Sequence, residues 1–198
     1  MKKILLTILT LNLCAMLVAQ DFDKHLATAR SSYSAGNLED ARFAMQQLLQ
    51  ELDITIGQEV LKKLPTKMDA LSVNPKNDNV TANTGLAGVL IHRDYGTGEK
   101  TADVDIMNNS PLIASLNAIL SLPFVGNSSD GSQKVVKVNG YKGVLHKYEN
   151  TDTNKASYDV QIPFGSTLLT FKVDDTNESE ILKMANTIPF AEIAKMVQ

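Results

Sequence analysis

The sequence predicts an α+β protein: an N-terminal helical hairpin, then an antiparallel sheet of about six strands with helices on one face. Three observations predict it. Apolar residues recur at three-to-four spacing from Phe22 to Leu52, a period of two takes over from Gly85, and turn residues such as Asn139-Gly140 separate the alternating stretches.

What precedes the hairpin is an export signal. Lys2 and Lys3 stand before an uncharged, mostly apolar run from Ile4 to Val18, and acidic Asp21 follows Ala19 and Gln20. Residues 1–20 therefore read as a secretory signal peptide cut after Ala19 or Gln20. The run falls short of the ~20 residues a membrane span needs. The single cysteine, Cys14, lies inside it. The alternative is a lipoprotein signal in which Cys14 becomes the lipidated first residue, although Leu13 stands where a small residue is wanted. With cleavage at residue 19 or 20 the remaining chain has no thiol, which excludes cysteine nucleophiles, thiolate metal sites and disulfides. The expected location is the periplasm or the exterior, with no transmembrane segment in the mature chain.

Without Lys2 and Lys3 the chain carries 17 basic against 22 acidic residues and no dense basic stretch. Such a surface does not track phosphates, so nucleic acid is not an expected partner. About 178 residues are enough to bury a core without staples.

The hairpin comes first among the mature elements. Phe22, Leu26, Ala29 and Tyr33 form one helical stripe, Gly36-Asn37 interrupts, and Leu38, Ala41, Met45, Leu48, Leu49 and Leu52 resume the period. The segment Tyr33-Ser34-Ala35-Gly36-Asn37-Leu38-Glu39-Asp40-Ala41 resembles the centre of a tetratricopeptide repeat, with glycine at the close turn and Ala41 where the helices approach. The resemblance covers one repeat, about residues 22–55, and departs from it at His25, where a large residue is usual. One repeat cannot bury its own apolar faces. The hairpin is expected to pack on the rest of the protein, on a copy of itself, or on a partner. A third short helix, Ile56 to Leu64, stops at Pro65, closing a helical part over residues 21–64, and residues 65–84 read as a linker.

Residues 85–198 form the α+β part. Alternation in 86–93 and in Ala102, Val104 and Ile106, around Tyr95-Gly96-Thr97-Gly98, predicts a hairpin. Ser110 caps a helix with Pro111 at its first position, filled by Leu112, Ile113, Leu116, Ile119 and Leu120 to Ser121. Lys134–Val138, the Asn139-Gly140 turn and Tyr141–Tyr148 make a second hairpin. Strands at 156–162 and 169–173 follow. Asn177 and Glu180 have capping-box spacing before a helix that Pro189 breaks.

This order resembles the PsbP-like fold, and residues 85–197 resemble a family of uncharacterised exported bacterial proteins. The shared features are Asn109-Ser110-Pro111-Leu112, Val136-Lys137-Val138-Asn139-Gly140 and Ile188-Pro189-Phe190. The resemblance implies protein binding or support more than catalysis, and it carries no residue roles.

Chemistry is sparse. His25, His92 and His146 show no ligand spacing, and His-Glu-x-x-His and Gly-x-Ser-x-Gly are both missing. His92 and His146, with Asp103 or Asp105 opposite, could meet as a metal site. Beside Arg93 and Lys147 they read instead as solvated, and Asp103 and Asp105 as a wet sheet face. No catalytic residue, cofactor or metal is assigned, and the chain is read as no enzyme. From Ile106 to Ser129 there is no charged residue. The stretch reads as core crossing the sheet, or as a partner or ligand surface formed by Leu112, Leu116, Leu120, Leu122, Phe124 and Val125. The functional expectation is an exported protein that binds another envelope protein or itself, with a carrier of an apolar, lipid-like ligand as the alternative.

Overall fold

The computed structural model describes residues 21–82, 88–98, 100–122, 128, 131–150 and 155–197. The expectations for residues 1–20, Phe124 and Val125 lie outside them. The chain divides into two compact units after Asp53.

In the first unit residues 21–34 are helical (α1), and α2, Leu38–Lys63, begins after a tight turn. Gly36 holds φ +78°, a left-handed conformation that a side chain disfavours. The Asn37 amide donates to the Ser32 carbonyl at 2.9 Å, closing α1. Its side-chain oxygen accepts from the Asp40 amide at 3.4 Å, opening α2. Small side chains make the interhelical contact: Ala29, Ala41 and Ala44 are buried. His25 Nε2 lies 3.4 Å from Glu51 Oε1 across it.

The expected break between a second and a third helix is corrected: α2 is continuous through Asp53, Ile54 and Thr55. Gly57 stays helical and buried because the second unit needs it bare. A Cβ there would stand 2.5 Å from Val80 Cγ1 and 3.0 Å from Val89 Cγ2. Gly57→Ala is therefore expected to destabilise by about 1–2 kcal/mol, the ~1 kcal/mol gain in helix propensity being outweighed by overpacking against stiff valines. Urea denaturation checks this.

The second unit opens with a two-stranded ribbon, β1 (Lys67–Met68) and β2 (Leu71–Ser72). Seven further strands follow: β3 (Asn79–Ala82), β4 (Val89–Tyr95), β5 (Ala102–Asn108), β6 (Gln133–Val138), β7 (Tyr141–Asn150), β8 (Lys155–Phe164) and β9 (Thr167–Val173). They form one antiparallel sheet in the order β3-β4-β5-β9-β8-β7-β6. Two meanders, β3 to β5 and β6 to β9, thus meet along β5 and β9. The helix α3, Ile113–Ser121, lies in the connection from β5 to the far edge at β6. The chain closes with α4, Glu178–Ala185, and α5, Phe190–Val197.

The α+β class and the antiparallel sheet agree with the sequence reading, and three details are corrected. The sheet has seven strands, because the segment read as linker contains edge strand β3 as well as the ribbon; with Val80 its only large apolar residue, its alternation over four residues is too short and weak to announce it. Helices cover both faces. One face packs Val104, Ile106, Ile162 and Phe171 against Ile181, Met184, Ile188 and Ile193, while Leu116 of α3 packs on Val144 and Leu168, which point the other way. Finally, α3 starts at Ile113, with Ser110 and Pro111 in the preceding turn, where the Ser110 carbonyl accepts from the Ile113 amide.

The turn chemistry holds at the second hairpin. Asn139 (φ +48°) and Gly140 (φ +86°) join β6 to β7 with Val138 opposite Tyr141, the type I′ arrangement. Asn177 accepts from the Glu180 amide at 3.1 Å and caps α4.

Candidate functional site

Strand alternation decides which polar side chains share the face that α3 only partly covers. On β4 these are His92 and Asp94, and on β5 Asp103 and Asp105. Register then builds two cross-strand rows. Asp94, Asp103, Lys172, Asp159 and His146 stand in one; His92, Asp105, Thr170, Gln161 and Val144 stand in the other.

The β4–β5 end concentrates the charge. His92 is clamped between two carboxylates, Nε2 at 2.6 Å from Asp94 Oδ1 and Nδ1 at 2.7 Å from Asp105 Oδ1. Desolvation pulls its pKa down, but hydrogen bonding and attraction from Asp105 and Asp94 outweigh it, so the imidazole titrates above its ordinary value. Burial would raise Asp94, yet the hydrogen bond from Asn77 (2.6 Å) and the attraction of His92 hold it below the ordinary carboxylate range. Asp103 goes the other way: burial, then the neighbouring Asp94 carboxylate, push it up to about 6.

Both raised groups bind protons more tightly in the folded state, so both favour folding on the acid side. The Asp103 contribution is lost as pH rises from about 4 through about 6. The His92 contribution is complete below 6.5 and lost as pH rises through its elevated folded value. Asp103→Asn keeps a hydrogen-bond donor toward Asp94 and removes the ionisation. A shift from 3.8 to about 6 corresponds to about 3 kcal/mol for a fully desolvated group, which solvent screening of this half-exposed carboxyl reduces to about 1 kcal/mol. The variant is expected to unfold at higher temperature at pH 7.5 and to show a flatter profile between pH ~4 and ~6. Thermal melts across pH check it.

The second histidine does not join the first. His146 lies on the same face, but β5, β9 and β8 separate the two strands, about 19 Å at the usual strand spacing. It pairs instead with Asp159, Nδ1 to Oδ2 at 3.3 Å. Asp159 is buried, and its Oδ1 has no hydrogen-bond partner among the described residues. Among the described residues no group of three or more His, Cys, Asp or Glu is placed to hold a metal ion. The wet-face expectation for Asp103 and Asp105 is refined: both are part-buried, with Asp105 tied to His92.

Arg93 alternates with His92 and points to the opposite face, where it is buried. It donates to both Asp78 oxygens (2.9 and 2.6 Å) and to the carbonyls of Leu61 and Leu64 at the end of α2 (2.7 and 3.3 Å). Period-two spacing could have found Asp94, two residues from His92 on the same face. Nothing local announces Asp78 or Asn77, which reach the sheet only through the loop before β3.

Two apolar surfaces complete the inventory. On α3 only Leu116 is buried; Leu120 is half-buried, and Leu112 and Leu122 are each 50% exposed. The helix that reads as core is a surface helix with an apolar flank. In the first unit, Phe22, Leu26, Tyr33, Leu38, Phe43, Met45, Leu49 and Leu52 are all exposed while alanines make the contact. No helix among the described residues is long and apolar enough to cross a membrane.

No family model matches this chain, and no curated protein matches it.

Proposed function

We propose that this chain is an exported, non-enzymatic protein-interaction module of the cell envelope, its N-terminal hairpin docking on protein and its α+β part, PsbP-like in element order, serving as scaffold. One observation carries the reading: the hairpin spends alanines on its own contact and leaves eight large apolar side chains exposed. Exposed apolar surface of that extent on a soluble protein marks an interaction site. Export rests on the Lys2-Lys3 start, the uncharged run to Val18 and the small residue at Ala19.

A photo-crosslinking residue at position 49, compared with one at Glu39, tests the hairpin in intact cells. Adducts at 49 and none at 39 support the reading; none at either position overturns it. The same preparation tests export, because a mature N-terminus at Gln20 or Asp21 in the envelope fraction is expected, and an unprocessed cytoplasmic chain overturns it. The alternative, an apolar ligand held beside α3, is favoured by the exposure of Leu112 and Leu122. A lipid-like mass retained in native mass spectrometry and lost with Leu122→Ser would select it.

A further inference from the structure

The exposed apolar side chains of the hairpin are not scattered. At 3.6 residues per turn Phe22, Leu26 and Tyr33 fall within about 40° of one another on α1, and Leu38, Met45, Leu49 and Leu52 within about 60° on α2. The helices touch along His25 and Ala29 on one side and Ala41, Ala44 and Glu51 on the other. Each stripe is rotated from its contact line in the same sense. In an antiparallel pair, equal rotations bring both stripes to the same side, so one face of the hairpin carries all seven residues. Phe43 alone points away.

From this geometry we infer that the occupant of that face is a second copy of the chain, two hairpins closing into an antiparallel four-helix bundle. The inference rests on the protein-interaction reading and names its partner. Two observations select a copy. The first is area. At about half exposure, two aromatic side chains of about 200 Å² and five smaller Leu and Met side chains leave roughly 600 Å² of apolar surface per chain, the larger part of the ~800 Å² per partner of a standard stable interface. Leu38, Met45 and Leu52 also repeat every seven residues, the spacing of a bundle seam.

The second observation is charge. The stripe holds no ionisable group except the Tyr33 phenol, and charged positions beside it are Arg30 and Arg42 toward the turn and Asp23 and Asp53 toward the open end. A two-fold axis perpendicular to the hairpin sets the basic end of one copy against the acidic end of the other. The surface is therefore self-complementary, as an isologous dimer requires.

The test is the mass in solution of the protein purified from the cells that make it, by sedimentation between about 1 and about 100 µM, at and above the micromolar weak end of affinities for an interface of this size. Twice the chain mass is expected. Met45→Glu with Leu49→Glu, both exposed sites, is expected to give a single-chain mass with an unchanged thermal transition in the second unit. Arg30→Glu with Arg42→Glu weakens association at least tenfold, and adding Asp23→Lys restores part of it. A monomer throughout that range, crosslinked at position 49 to a different protein, overturns the second copy while the interaction reading stands. A monomer with no crosslink at position 49 overturns both.

Discussion

Replacing Arg93 by methionine is expected to lower the unfolding free energy by about 3–5 kcal/mol, the largest loss from any single polar side chain described above. The guanidinium is buried on the helix-packed face and is hydrogen-bonded bidentately to Asp78, whose nearest contact is 2.6 Å. The Asp78 hydrogen bond, ahead of the opposing cost of burial, raises the Arg93 pKa, so the charge is permanent. Its other donors meet the carbonyls of Leu61, in the last turn of α2, and of Leu64, just past its end, where a helix leaves carbonyls short of partners. Methionine keeps the stem and removes every donor. It strands a part-buried carboxylate and takes a donor from the Leu61 and Leu64 carbonyls, of which Leu61 keeps the Leu64 amide, and it is that orphaning which costs. Arg93→Met combined with Asp78→Asn is expected to cost less than the sum of the two single changes, because the second substitution removes the stranded charge. Lys172→Met, on the opposite face and exposed, is the control and should move stability by no more than about 0.5 kcal/mol. Urea denaturation of the four variants reads all of this. A loss under ~1 kcal/mol for Arg93→Met would show that solvent replaces the network.

Phe190→Ala is expected to cost about 3–5 kcal/mol by a different mechanism, a cavity. The ring is 1% exposed and belongs to an aromatic trio. Its centroid lies 5.4 Å from Tyr141, stacked, and 5.9 Å from Phe164, edge-on, while those two rings are 5.9 Å apart. The trio joins the start of α5 to the ends of β7 and β8, so truncation unpins the final helix as well as emptying space. Phe190→Leu keeps most of the volume and loses the ring geometry, which predicts a loss of about 1–1.5 kcal/mol. Hydrogen exchange distinguishes the two effects: the alanine variant is expected to lose protection first in α5, with the central strands β5 and β9 protected longest.

How much of this was legible depended on how local the signal was. The β6–β7 turn, the Asn177 cap and the Pro189 break each follow from a few adjacent residues with restricted backbones, and each appears as expected. Edge strand β3 was not legible, because it is only four residues long, Asn79-Val80-Thr81-Ala82, and sits in an Asn- and Pro-bearing stretch that reads as linker. Helix continuity through residues 53–55 was hidden as well. The expected gap fell at Asp53-Ile54-Thr55, where a polar residue and a β-branched pair interrupt the apolar period, and packing of the following turns on the sheet carries the helix across it. At the candidate site, period-two spacing placed Asp103 and Asp105 on one face and His92 opposite them, yet it could not say that β9 and β8 would intervene before His146.

By itself, the sequence determined the class, the alternating strands and their turns, the helical hairpin and the absence of thiols beyond Cys14, because periodicity, capping and composition act over a few residues. Tertiary structure decided the strand order, the return of β9 beside β5, the face each charge occupies relative to the helices, and the places of Arg93 and α3. Arg93 went inside because the end of α2 and Asp78 together meet its donors, and α3 went to the surface because the opposite face was already filled by α2, α4 and α5. Those outcomes turn on contacts between residues far apart in the chain, which no local pattern encodes.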